Sequence, residues 1–153
     1  MKKQLEIALI KANSPAFRGC EFYWLFSRNQ LEFLLKEVEI FSSPPFVATA
    51  KYQETMLPVI NLEQYYGLAE KDRSGSTKYL VIRSADEKKE LIKLIVQTTQ
   101  TLKIQKLESE WKPSQDSVLP KHGEQVLGMY FLAEDKLAVV PDFIAMSRSL
   151  QWR

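Results

Sequence analysis

The sequence predicts an all-β fold of short strands joined by tight turns, and three observations carry that expectation. The first is a crowding of residues that suit a pleated surface. Phe22, Tyr23, Trp24 and Phe26 fall in one short run, and Ile92, Ile95, Val96, Thr98, Thr99 and Thr101 in another. Bulky rings and β-branched side chains fill the face of a strand and crowd the preceding turn of a helix. The second is the compact run KYLVIR from Lys78 to Arg83, bounded by polar residues. The third is a pair of apolar runs, Gln125 to Leu132 and Lys136 to Val140, separated only by Ala133, Glu134 and Asp135, which is hairpin spacing.

Taken in order, Leu5 to Ile10 alternates weakly and reads as a short strand or a frayed arm, ended by Asn13, Ser14 and Pro15. Glu21 to Phe26 is the first strong strand. Ser27, Arg28 and Asn29 suggest a hairpin turn into Gln30 to Leu35, and Val38, Ile40 and Phe41 start a further apolar patch ended by Ser42 to Pro45. Phe46 to Ala50 reads as either helical or extended. Met56 to Leu62 is another strand candidate, and Pro58, which lacks an amide donor, places it at an edge or a strand start. Leu62 to Tyr66 fits one helical turn with Gly67 as its left-handed cap. Residues 69–77 are polar, contain Gly75 and form the best internal boundary.

Residues 85–107 admit two readings. Asp86 could cap a helix through Leu91, Leu94 and Ile95. The competing reading is a hairpin at 86–89 followed by strands Leu91 to Val96 and Leu102 to Leu107, which the β-branched residues favour. Residues 108–124, with Pro113, Pro120 and Gly123, read as a long surface loop. The end of the chain carries Trp152, a ring that either packs back or stays free.

Composition narrows function by exclusion. A net charge of +2, from 21 basic and 19 acidic residues, is too small a surplus to argue for nucleic acid. Cys20 is the single cysteine, so no internal disulfide forms, and a reducing compartment suits it. The apolar start is interrupted by Glu6 and followed by Lys11, which argues against a secretion signal. No apolar run is long enough to cross a bilayer. The expected location is the cytoplasm.

Chemistry is sparse as well. His122 and Cys20 are alone of their kind, and no spacing resembles a zinc cluster, so no metal is expected. Cys20 reads as a small core filler, and His122 as a solvated loop residue. Glu37 and Glu39 share a face if that segment is extended, yet beside Lys36 they read as a solvated edge. Five glycines include no GxGxxG or GxxxxGK pattern, so no nucleotide cofactor is expected. The aromatic run could form a stacking platform for single strands, but period-two alternation sends part of it into the core.

The order of segments resembles the CheW-like domain of chemotaxis coupling proteins. The strand EFYWLF precedes QLEFLLKEVEI (30–40), whose Glu39-Ile40 matches the family's first block ending. Pro58-Val59-Ile60-Asn61-Leu62 is similar to the P-V-x-D-L block, with Asn61 for aspartate, and Tyr65, Tyr66, Gly67 and Leu68 match the segment after it. KYLVIR (78–83), residues 91–107 and residues 125–146 resemble the remaining strand blocks in order. The resemblance implies two intertwined five-stranded SH3-like β-barrel subdomains with short helices, and strands in 91–107. It divides the chain into an N-terminal arm or strand (1–18), a CheW-like domain (19–147) and a C-terminal tail (148–153).

The same resemblance implies a non-catalytic adaptor, without cofactor, that couples a chemoreceptor's cytoplasmic tip to the regulatory domain of a histidine kinase. Its implied docking residues are Val38, Glu39 and Ile40, with Tyr52, Gln53 and Glu54. The family's N-L-R-G run falls on Lys51 to Glu54, so Gln53 stands for the arginine and Glu54 for the tight-turn glycine. A neutral amide loses the charge-assisted bonds of a guanidinium fork. Ala48 stands for the motif's first glycine, and Ile95-Val96-Gln97 for its L-V-D. A scaffold of another pathway, such as pilus or gliding motility, is an alternative. A small-barrel nucleic-acid-binding module is the other, and it predicts an exposed aromatic face ringed by lysine and arginine.

Overall fold

The computed structural model describes residues 5–15, 19–41, 48–68, 76–85, 88–114 and 126–149. His122, Trp152, most of the polar boundary at 69–77 and part of the 108–124 loop lie outside them.

The chain starts in one sheet, leaves to build a second and then returns. Strand β1 (Glu6–Lys11) pairs antiparallel with β2 (Glu21–Ser27), with Leu9 opposite Leu25. The first segment is thus a strand and not an arm. Next come β3 (Leu31–Leu35), β4 (Ile40–Phe41), β5 (Thr49–Tyr52), β6 (Thr55–Ile60), helix α1 (Leu62–Tyr65), β7 (Lys78–Ala85) and β8 (Leu91–Thr98). Strands β9 (Leu102–Lys106), β10 (Lys112–Pro113), β11 (Val126–Ala133) and β12 (Lys136–Pro141) return to the first sheet, and helix α2 (Phe143–Ser149) follows. Sheet I has the order β10-β11-β12-β2-β1-β9, and sheet II the order β3-β7-β8-β6-β5-β4. Each is five strands plus a two-residue edge strand, β10 or β4.

The reading of 91–107 as strands holds, and the helical alternative fails. β8 pairs with β7 around a hairpin closed at Ala85 and Leu91, while β9 crosses back to pair with β1. The hairpin at 134–135 forms as expected, with Ala133 opposite Lys136. Asn61 caps α1 through Oδ1, which accepts from the Gln64 amide at 3.1 Å, and Gly67 follows at φ 76°.

Two expectations need correction. Ser27 to Asn29 do not turn a hairpin, because β1 and β12 already occupy both edges of β2. Instead Ser27 caps a 3-10 turn (Arg28–Gln30): the Asn29 amide donates to Ser27 Oγ, and the Ser27 amide to Gln30 Oε1. That turn redirects the chain into sheet II. Pro58 lies inside β6, at neither an edge nor a start. It is tolerated because Val59 points its N–H at Ala48 in the β5 direction, so Pro58 faces β8, where pairing begins only at Val59. After β12, Asp142 caps α2 by accepting from the Ala145 amide at 3.0 Å.

Period-two alternation explains three separate apolar clusters. Ala8, Ile10, Phe22, Trp24, Phe26, Leu80, Ile82, Leu94, Val96, Leu137 and Val139 face the space between the sheets, with Tyr66, Phe143 and Met146 from the helical segments. Alternate residues face the other way: Val81 and Ile95 pack with Ala50, Tyr52, Leu57 and Val59, whereas Ile7, Leu9 and Leu25 pack with Ala138. Each sheet thus packs one face against the other sheet and the opposite face among its own strands, as two barrel-like subdomains sharing an inner wall do. Trp24 and Tyr66 stack at that wall with centroids 5.5 Å apart, and Phe26 meets Phe143 edge-on at 5.7 Å.

Candidate functional site

The residues expected to dock a partner gather at the β4–β5–β6 end of sheet II, but in different roles. Val38 is half-buried and packs on the Ala50–Val59 cluster, so it supports the fold. Glu39 is exposed. Ile40 pairs with Ala50 across β4 and β5 and keeps 40% of its surface. Tyr52 is buried, with 9% exposure, and offers a partner little area. Gln53 and Glu54 form the exposed tip of the β5–β6 hairpin.

Sequence reasoning did not single out two exposed apolar side chains at this end of the sheet, Phe41 and Met56. Phe41 opposes Thr49 and Met56 opposes Lys51, and Thr49 and Lys51 are two apart on β5. Both apolar side chains therefore project from the same outer face, each with 48% exposure. The signal was alternation: Ala50 and Tyr52 point inward, so their neighbours' partners must point out. β4 ends the strand order of sheet II, which leaves its far side unpaired among the described strands.

Tyr52 is held from beneath. Glu32 on β3 accepts from Lys93 on β8 through both oxygens, at 3.0 and 3.1 Å, and Arg83 on β7 lies at 3.8 Å. The Tyr52 ring lies near the same carboxylate, close enough for the two groups to shift each other's titration, and Lys93 Nζ sits 5.9 Å from the centre of that ring. The hydrogen bond from Lys93 first, then the neighbouring Tyr52 hydroxyl and the positive charges of Lys93 and Arg83, hold the Glu32 carboxyl below its ordinary range despite opposition from burial. Burial first, then the neighbouring Glu32 carboxylate and its charge, pushes the Tyr52 hydroxyl up. A register shift between Leu31 and Phe33 marks a bulge at Glu32, the feature that re-aims a side chain inward.

The hairpin tip is strained. Gln53 has φ 46° and Glu54 φ 69°, the paired positive values of a two-residue I′ turn. Non-glycine residues adopt that region at a cost of about 1–2 kcal/mol each. The backbone thus keeps the shape a glycine would favour although Glu54 occupies the position. Replacing the pair with Asn-Gly (Q53N/E54G) should raise stability by about 1–2 kcal/mol, read as a higher melting temperature. The same change removes the Lys51–Glu54 ion pair, but that pair spans 3.8 Å with Glu54 almost fully exposed and is too weak to offset the gain. An unchanged or lower melting point would show that the turn carries no strain.

No protein-family model matches the sequence, and no curated protein matches it either. Among solved structures, it is similar to the scaffolding protein TtCheW from Thermoanaerobacter tengcongensis, with a TM-score of 0.65 over 92% of this chain and 86% of that one. Sequence identity is 16%, so the likeness is one of fold. The chain has an all-β, CheW-like fold of two sheet subdomains. Among the described residues, no helix is long and apolar enough to cross a membrane, and no group of three His, Cys, Asp or Glu could hold a metal ion.

Proposed function

We propose that this protein is a non-catalytic, cytoplasmic adaptor that couples a chemoreceptor or similar sensor to the regulatory domain of a histidine kinase. The observation that carries the reading is the outward pair Phe41 and Met56 on one face of a CheW-like subdomain, with Phe41 on β4, whose far side is unpaired among the described strands. Apolar side chains next to free strand edges suit a partner that adds its own strand or apolar knob. The exposed Glu39, Lys51, Gln53 and Glu54 form a polar rim around them, as protein-docking patches require. The nucleic-acid alternative loses its platform: Phe22, Trp24 and Phe26 are buried and only Tyr23 is partly open.

The test is calorimetric titration of the purified protein with a histidine-kinase regulatory domain and a chemoreceptor tip from the same cell. The expected result is a Kd of about 1 μM or tighter for at least one of them. F41D/M56D should weaken kinase binding at least about tenfold, near 1.4 kcal/mol, while circular dichroism stays unchanged. Binding to neither partner would end the adaptor reading. Binding that ignores the double substitution would move the docking surface elsewhere.

A further inference from the structure

A buried carboxylate with no counter-charge among the described residues borders a polar cleft at the seam between the two sheets. Glu63, in the first turn of α1, is 3% exposed. Its Oε1 accepts from the Asn13 amide at 2.6 Å and from Trp24 Nε1 at 3.4 Å. Both donors are neutral and both converge on one oxygen. Among the described residues, no lysine, arginine or histidine forms an ion pair with it. The cleft it lines has a volume of about 200 Å³ and is bordered by Asn13, Asn61, Thr77, Gln97 and Thr98. Every described lining residue other than Glu63 is an amide or a hydroxyl.

The tether between α1 and the first two strands does not explain the charge. A glutamine at this position could accept both bonds through its own Oε1, so the tether alone does not call for a carboxylate. An ionised carboxylate taken out of water is costly unless a cation meets it. Both donors use Oε1, so Oε2 is the atom left for the cleft.

We propose that the cleft is a binding site for a primary ammonium or guanidinium group, with Glu63 as its counter-ion. Such a group carries three to five N–H donors and no acceptor, and the surrounding amide carbonyls and threonine hydroxyls supply acceptors beside the carboxylate. The space equals that of about seven waters, enough for the head of a lysine or arginine side chain or a small free amine. This site lies apart from the β4–β5–β6 surface and stands or falls independently of the adaptor reading.

Trp24 provides the reporter, because its indole N–H touches the same carboxylate. Titration with methylguanidinium or methylammonium chloride, followed in ¹H–¹⁵N spectra, should move the Trp24 indole and Asn13 amide signals along a saturating curve. Potassium chloride and tetramethylammonium, which have no N–H donor, should leave them in place. Glu63→Gln keeps both structural bonds and should keep a dispersed spectrum, yet raise the half-saturation point at least about tenfold. If that variant does not fold, Gln97→Lys supplies an ammonium from the cleft wall and should suppress the response. A parallel titration with N-acetyl-arginine amide separates the sources: a response there points to a partner's side chain, and a response to the free cations alone points to a small amine. Absence of a saturable shift, an equal shift with tetramethylammonium, or E63Q binding as tightly as wild type each overturns the proposal.

Discussion

Trp24→Ala should destabilise the protein by about 3–5 kcal/mol, the range for removing a large buried aromatic side chain. Trp24 is 1% exposed and sits on the wall shared by both subdomains. Its ring stacks on Tyr66, and its Nε1–H donates to Glu63, so one side chain joins β2 to both ends of α1. Truncation opens a cavity between the sheets and removes one of the two donors to a buried carboxylate. For a chain of this size the expected fall in melting temperature is about 6–20 °C. Trp24→Phe separates the two contributions, since it keeps most of the stacking area and loses only the donor. Its cost should be about 1–2 kcal/mol. Urea unfolding of both variants measures the difference. Equal costs would mean that the hydrogen bond, and not the packed ring, ties the subdomains together.

What was legible in the sequence was what neighbouring residues decide. The KYLVIR strand, the hairpin at Glu134 and Asp135 and the Asn61-capped turn closed by Gly67 all follow from local chemistry. The alternation that buries Phe22, Trp24 and Phe26 together was readable too. Pairing was not. Nothing in Ser27 to Gln30 says that β2 already has two neighbours, because β12, its parallel partner, lies far along the chain. Likewise β9 joins β1 across most of the sequence, and a two-residue strand such as β10 has no pattern to read. Helix α2 did carry a signal, an aspartate cap at Asp142 with Phe143 and Met146 three apart on one face. At the β4–β5–β6 end Glu39, Ile40, Gln53 and Glu54 are exposed, but the burial of Tyr52 beside Glu32 was not legible. That residue reads as an ordinary strand carboxylate until a bulge turns it inward.

Glu32 therefore carries the second large expectation. Glu32→Gln keeps the shape of the side chain and removes the charge that faces Lys93 and Arg83, at an expected cost of about 1–3 kcal/mol near neutral pH. Arg83 is nearly half exposed and will recover water, so most of the loss comes through Lys93. The pH dependence has a definite sign. The folded carboxyl titrates below its ordinary value of 4.5, so its contribution is complete above that value and disappears as pH falls through the lower folded one. Tyr52 runs the other way: its folded hydroxyl titrates above 10.0, and its contribution is complete below that value and lost as pH rises through the higher one. Glu32→Gln should flatten the acid limb and weaken the alkaline one, leaving burial alone to raise Tyr52. Unfolding free energies on both limbs, compared with wild type, give the answer, and parallel acid slopes would rule out Glu32 as the group responsible. Because Glu32 holds Lys93 over the Tyr52 ring at the base of the strained hairpin, the same variant should also speed amide exchange at Tyr52 and Thr55. A hairpin tip held in place by the partly exposed Glu32–Lys93 ion pair would then lose its order.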